Sequence, residues 1–155
     1  MRAEFINPFV KAAYEVLKAE LKTPVERGQL SLQESDYTSQ DVTIMVAVTG
    51  RVEGITMYGL SEVTAKKIAS AMMGQPVPVF DKLAESAIAE LGNIITGHAS
   101  GELEKAGYPC TISPPTVIIG RGVIISTVHI KRLIIPLKTQ LGELEVSVAL
   151  QASPR

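Results

Sequence analysis

A carboxylate and a carboxamide one helical turn apart are the groups of this 155-residue chain best placed to do chemistry. They belong to Glu90 and Asn93, and Ser86 and Gly97 lie one turn before and one turn after them. On a helix, at about 100° per residue, these four residues fall on one side and form a single stripe. Glu90 and Asn93 can then reach the same small target. Polar helix faces of this kind are common, so the spacing alone leaves catalysis and an ordinary solvated surface both open.

The stripe needs a rigid element to position it, and the sequence predicts one long amphipathic helix over residues 81–107. Asp81 is a suitable N-cap and Gly107 is a suitable residue to end the helix. Apolar residues project from the opposite side and predict a core face, namely Ala84, Ala87, Ile88, Leu91, Ile94 and Ile95. We therefore expect the stripe to face water or a partner.

Three glycines inside this helix need an explanation. Gly92, Gly97 and Gly101 each cost about 0.8–1 kcal/mol relative to alanine in a helix interior. A helical glycine makes sense where another backbone approaches closely, because only a missing side chain allows that approach. The periodicity does not decide whether the approaching segment belongs to this chain or to a partner.

Several other kinds of site are disfavoured by the sequence. It contains no phosphate-binding or dinucleotide-binding glycine motif, no C-x-x-C and no H-E-x-x-H. It has two histidines, His98 and His129, and we expect His98 to face the apolar side of its helix in a structural role. Ser86 has no visible base partner for nucleophilic work. The single cysteine, Cys110, excludes an internal disulfide and suits a reducing compartment.

Composition favours one folded domain over residues 1–155. The chain is 46% hydrophobic and 20% charged, which is typical of a globular protein. A net charge of −1 provides no electrostatic case for nucleic-acid binding. The N-terminus is broken by charges and lacks the apolar run of a signal peptide, and no apolar run is long enough to span a membrane. We therefore expect a cytoplasmic protein.

The remaining elements predict an α+β fold. Asn7-Pro8 is a suitable opening for a first helix, and Ser61 and Gly74 are suitable ends for a second. A hairpin turning at Gly50 is predicted between runs of β-branched residues. Further strand-like runs cover residues 116–119, 123–128, 130–137 and 144–150. The order of helix, strands, two helices and strands favours a mainly antiparallel sheet with three helices on one face.

The run S-A-I-A-E-L-G-N-I-I-T-G at residues 86–97 resembles the active helix of the CheC/CheX/FliY family of chemotaxis phosphatases. That helix carries an Asp or Ser, then Glu, then Asn at these spacings. Asn7-Pro8, residues 71–74, residues 113–117 and Gly120-Arg121 are also similar to CheX at the same relative positions. The resemblance covers nearly the whole chain, and the similar length makes CheX the nearest branch.

Other branches usually carry two such helices, whereas this chain has one full motif. Glu4-x-x-Asn7 has the same spacing, but it precedes Pro8 at the expected helix start, where capping explains Asn7 better. The prediction of a site therefore rests on the 81–107 helix alone.

The resemblance implies a phosphatase that removes the phosphoryl group from the aspartyl phosphate of a CheY-like receiver domain. Asn93 would orient the attacking water, Glu90 would pair with a lysine of the receiver, Ser86 would lie at the edge of the contact, and Gly97 would keep the surface slim. The chain would bind no cofactor or metal, since the receiver holds its own Mg²⁺. The resemblance also implies a homodimer formed through the β-sheet. The alternative is a non-catalytic module that binds a receiver or takes part in flagellar or signalling assembly.

Overall fold

The computed structural model describes residues 2–33, 38, 40–127 and 130–154. Over these residues the chain forms three helices and eight strands. None of the described helices is long and apolar enough to cross a membrane. The elements are α1 Ala3–Leu21, β1 Glu26–Arg27, β2 Ser31–Gln33, β3 Val42–Gly50, β4 Val52–Leu60, α2 Glu62–Met73, α3 Lys82–Lys105, β5 Cys110–Ile112, β6 Thr116–Ile119, β7 Arg132–Thr139 and β8 Gly142–Ala152.

The strands form one antiparallel sheet in the order β1-β7-β8-β4-β3-β5, and β2 also pairs with β7 while β6 pairs with β3. Alternate residues of β3, from Val42 to Val48, are at most 1% exposed and face the helices. In β8 the alternate residues from Leu144 to Leu150 are buried in the same way, but Ser147 and Ala149 between them are buried as well. The α+β prediction, with an antiparallel sheet, three helices and a hairpin between β3 and β4, is confirmed.

Helix α3 lies on this sheet and has the ends that the sequence predicts. The Asp81 carboxylate accepts a hydrogen bond of 2.9 Å from the amide of Ala84. The last helical residue is Lys105, and Gly107 follows with a φ of 97°, a value that glycine adopts without strain. The buried residues of α3 are Ala84, Ile88, Leu91, Gly92, Ile95, Thr96, Ala99 and Leu103.

The predicted N-cap at Asn7 is wrong, because α1 already begins at Ala3 and contains Pro8. The extra turn is held by tertiary packing. Phe5 is 1% exposed and meets the ring of Tyr108 edge to face at a centroid distance of 5.1 Å. This contact lies far away in sequence, so a local reading of capping signals misses it.

The prediction of a strand over residues 123–128 is also wrong, as far as the structure describes these residues. Residues 123–127 form only an isolated bridge at Ile124, and Val128 lies outside the described residues. Gly120 and Gly122 both have positive φ and turn the chain out of the ladder after β6. The segment is held instead by single contacts, such as the hydrogen bond that the buried Arg132 donates to the carbonyl of Ile125. The short strand β5 was not predicted.

Candidate active site on helix α3

The structure places the predicted stripe on the side of α3 that is left open to solvent. Ser86 and Glu90 are exposed, and Asn93 and Gly97 are half-buried. Ile88, on the opposite side of the helix, is completely buried. The capped and packed helix therefore presents these four residues outward on one rigid element.

Glu90 and Asn93 have no side-chain partner in the described part of the structure. Their side chains form no hydrogen bond or ion pair with any residue that the structure describes. Other carboxylates of α3 do have partners: Glu85 lies 3.5 Å from Lys82, and Glu102 lies 3.6 Å from Lys11. The carboxylate and the carboxamide are thus available to groups of another molecule, as a docking site requires.

The three glycines of α3 have different surroundings. A Cβ at Gly92 would lie 2.8 Å from Cγ2 of Ile44, so Gly92 is explained by close packing on the sheet. A Cβ at Gly97 would meet only Cδ1 of Ile112 at 4.0 Å, and one at Gly101 would meet no described atom within 4 Å. The absence of side chains at Gly97 and Gly101 is therefore not required by packing within the described part of the chain.

Beneath the stripe lies a buried hydroxyl cluster that the sequence analysis did not single out. The Oγ1 of Thr96 donates to the carbonyl of Gly92 at 2.7 Å and lies 2.7 Å from the Oη of Tyr58. Thr56 lies 3.4 Å from the same Oγ1. Burial raises the pKa of Tyr58 to about 12, against the opposing effect of its hydrogen bonds with Thr56 and Thr96. A threonine on the apolar face of the helix, four residues after a glycine, was the available signal.

An exposed leucine extends the stripe toward the start of α3 and was also missed. Leu83 is 65% exposed, and at two turns before Glu90 it points within about 20° of the same direction. Val79, just before the N-cap, is 66% exposed. Leu83 thus places an exposed apolar side chain on the same side of α3 as the polar pair, two turns nearer its start. The heptad spacing from Leu83 to Glu90 could have identified it.

The described structure does not support the other sites that the sequence offered, which are a histidine or metal site and a second Glu-x-x-Asn pair in α1. His98 is exposed, which corrects the prediction that it faces the core, and His129 lies outside the described residues. No cluster of three or more potential metal ligands exists among the residues that the structure describes. Glu4 and Asn7 both lie within α1, but the Glu4 carboxylate already accepts hydrogen bonds from Arg2 at 3.0 Å and Tyr108 at 3.1 Å.

Comparison with known proteins points to one family. A family model described as chemotaxis phosphatase CheX matches residues 42–138. The CheY-P phosphatase CheX of Thermotoga maritima is 34% identical over 128 residues, which cover 82% of this chain and 83% of that protein. A chain in the crystal structure of a CheX–CheY–BeF₃–Mg²⁺ complex from Borrelia burgdorferi matches with a TM-score of 0.82 and 29% identity, covering 97% of this chain and 99% of that one. A chemotaxis protein CheX from Desulfovibrio desulfuricans matches with a TM-score of 0.85 and 28% identity over the same shares of the two chains.

Proposed function

The chain belongs to the CheX family of chemotaxis phosphatases, and from this premise we propose that it hydrolyses the aspartyl phosphate of a phosphorylated CheY-like receiver domain. The observation that carries the proposal is the pair of Glu90 and Asn93, which lies on a packed helix and has no side-chain partner among the residues that the structure describes. One Borrelia burgdorferi relative forms a complex with CheY, BeF₃ and Mg²⁺, which supports a receiver as the partner.

Hydrolysis requires a water molecule in line with the bond between phosphorus and the aspartate oxygen of the receiver. The water oxygen forms the new bond to phosphorus, the bond to the aspartyl oxygen breaks, and the water proton leaves with the inorganic phosphate. The Asn93 carbonyl oxygen accepts a hydrogen bond from this water and orients it. A carboxamide does this without titrating, as the glutamine of a GTPase does. Mg²⁺ bound by the receiver neutralises charge on the phosphoryl oxygens.

Docking is assigned to the residues around Asn93. The carboxylate of Glu90 pairs with a lysine of the receiver and fixes the geometry of the complex. Ser86 contacts the edge of the receiver, and Gly97 leaves room for its backbone. Leu83, exposed on the same side of the helix, adds an apolar contact at the rim of this surface.

In this mechanism the chain itself binds no cofactor or metal. We place the activity in the cytoplasm, where phosphorylated receivers act. A homodimer formed through the β-sheet stays a prediction, which light scattering of the purified protein would test.

Asn93→Ala is the decisive variant. We expect the catalysed rate of phosphate release to fall by about 10²–10³, as for the loss of one positioned transition-state group, with little loss of stability. The assay follows phosphate release from a cognate CheY-like receiver that has been phosphorylated with a small phosphodonor in Mg²⁺ buffer. Asn7→Ala is the control, because Asn7 is the other asparagine of the chain and also lies on a helix, although it is exposed whereas Asn93 is half-buried. An unchanged rate in the Asn93 variant would remove this residue from the mechanism.

Glu90→Ala separates docking from chemistry. We expect it to raise the KM for the phosphorylated receiver more than it lowers kcat, because its partner is on the receiver and not on the water. The rival function, a non-catalytic receiver-binding or flagellar assembly module, predicts that the wild-type protein binds the receiver without accelerating phosphate loss. One phosphate-release measurement on the wild type therefore distinguishes the two functions.

A further inference from the structure

The hydrogen bonds between Tyr58, Thr96 and Gly92 form a chain with a defined direction. A threonine hydroxyl has one hydrogen, and the Thr96 hydroxyl donates it to the Gly92 carbonyl at 2.7 Å. The Oη of Tyr58, also at 2.7 Å, must then donate to Thr96. Because the pKa of Tyr58 is raised to about 12, the phenol keeps its proton throughout the physiological range. Thr56 lies 3.4 Å from Thr96 and also hydrogen-bonds with Tyr58, but because the hydroxyl hydrogens of Tyr58 and Thr96 are already committed, Thr56 can only donate to these hydroxyls from the side.

This series of hydrogen bonds ends at the backbone next to the proposed catalytic residue. The Gly92 carbonyl belongs to the peptide bond whose nitrogen is that of Asn93, and a peptide unit is planar and rigid. At this point α3 also sits directly on the sheet, since a Cβ at Gly92 would lie 2.8 Å from Ile44 and 3.2 Å from Tyr58. The link from strand β4 to this peptide is completely buried, because Tyr58 is 1% exposed and Thr96 is 0% exposed.

We infer that Thr96 and Tyr58 are positioning residues, which fix the Gly92–Asn93 peptide and thereby hold the Asn93 carboxamide where it orients the attacking water. This inference rests on the proposed function. Neither residue touches the receiver or the reacting atoms, so both act through Asn93. A back-bond from a threonine hydroxyl to the carbonyl four residues earlier shifts the local course of a helix, so its loss moves this peptide.

Substitutions that keep side-chain shape test the inference. Thr96→Val deletes the hydroxyl, Tyr58→Phe deletes only the donor to it, and Thr96→Ser retains the hydroxyl. Thr56→Val is the matched control, since it deletes a buried hydroxyl that bonds to the side of this network and leaves the Tyr58-to-Thr96 and Thr96-to-Gly92 hydrogen bonds in place. Circular dichroism and the thermal midpoint establish that each variant is folded at the assay temperature.

We expect Thr96→Val to lower kcat for phosphate release about tenfold while KM changes less than twofold, because only the placement of the water is disturbed. Tyr58→Phe should show a smaller loss of the same kind, Thr96→Ser should restore kcat, and Thr56→Val should match the wild type. In an Asn93→Ala background, Thr96→Val should have no further effect, since the residue through which it acts is gone. An unchanged kcat in Thr96→Val, or an equal loss with and without Asn93, would overturn the inference.

A second measurement keeps this inference separate from the proposed function. If the wild-type protein does not accelerate phosphate loss, the proposed function fails, and the ¹⁵N relaxation of the Asn93 backbone and side-chain amides still decides the positioning role. Thr96→Val should lower the order parameters at Asn93, and Thr56→Val should not. Unchanged order at Asn93 in Thr96→Val would overturn the inference whatever the enzymatic result.

Discussion

Replacing Gly97 with alanine should stabilise the protein and weaken its action on the receiver. An added Cβ has room, because the nearest described heavy atom outside the adjoining helix backbone is Cδ1 of Ile112 at 4.0 Å. Alanine is favoured over glycine in a helix interior by about 0.8–1 kcal/mol, and nothing in the described structure opposes this gain. For a domain of this size we expect the thermal midpoint to rise by about 2–4 °C.

The effect on function should have the opposite sign. If the receiver backbone approaches Gly97, one extra methyl group overpacks the contact at a cost of about 1–3 kcal/mol. That corresponds to a rise in KM of about 5- to 150-fold at an unchanged kcat. Steady-state phosphate release over a range of receiver concentrations gives both constants, and calorimetry of the same preparation gives the midpoint.

Gly101→Ala is the matched control. Gly101 lies one turn further along α3, and no described atom lies within 4 Å of its added Cβ. This variant should gain the same stability and keep the wild-type KM. A Gly97→Ala protein that is stabilised but has an unchanged KM would refute the argument that Gly97 makes room for the partner.

Three further predictions concern the stability of the fold. Gly92→Ala should lower the free energy of unfolding by about 1–3 kcal/mol in urea titrations, because its Cβ would lie 2.8 Å from Ile44. Hydrogen bonds from the Glu62 amide and then from the Arg121 side chain hold the pKa of Asp41 below its usual range. The Asp41 carboxylate therefore stabilises the fold at any pH above the ordinary aspartate pKa, and this stabilisation is lost as the pH falls through the lower pKa of the folded state. Asp41→Asn should therefore lower the thermal midpoint at pH 7, with a difference that shrinks below about pH 4. The pKa of Tyr58 is raised to about 12 in the fold, so the wild type should lose about 1.4 kcal/mol of stability per pH unit between about pH 10 and about pH 12 relative to Tyr58→Phe. Parallel alkaline unfolding curves for the two proteins would contradict this.

The sequence alone was sufficient for features that depend on local periodicity. The side of α3 that carries Glu90 and Asn93 follows from the 3.6-residue repeat of its apolar residues, and Asp81 marks the start of the helix because its carboxylate caps a local amide. The β3–β4 hairpin follows in the same way from alternation on both sides of Gly50. These signals lie within a few residues of what they specify.

Predictions failed where distant contacts decide the outcome. The packing of Phe5 against Tyr108 starts α1 before the local signal at Asn7. His98 is exposed to solvent, although the sequence predicted that it faces the apolar side of its helix. Residues 123–127 have strand-like composition, but a strand also needs a partner along its edge, and composition cannot supply one.

The same division applies to the site. Residue types and helical spacing determined which side chains share the stripe, because a helix converts sequence distance into direction. Only the tertiary structure decided that Gly92 is required by packing on Ile44 whereas Gly97 is left open, since identical residues differ only in what approaches them. Tertiary structure also brought the Tyr58 hydroxyl from the sheet to Thr96 on the helix, a contact between residues too far apart in sequence for any local pattern to specify.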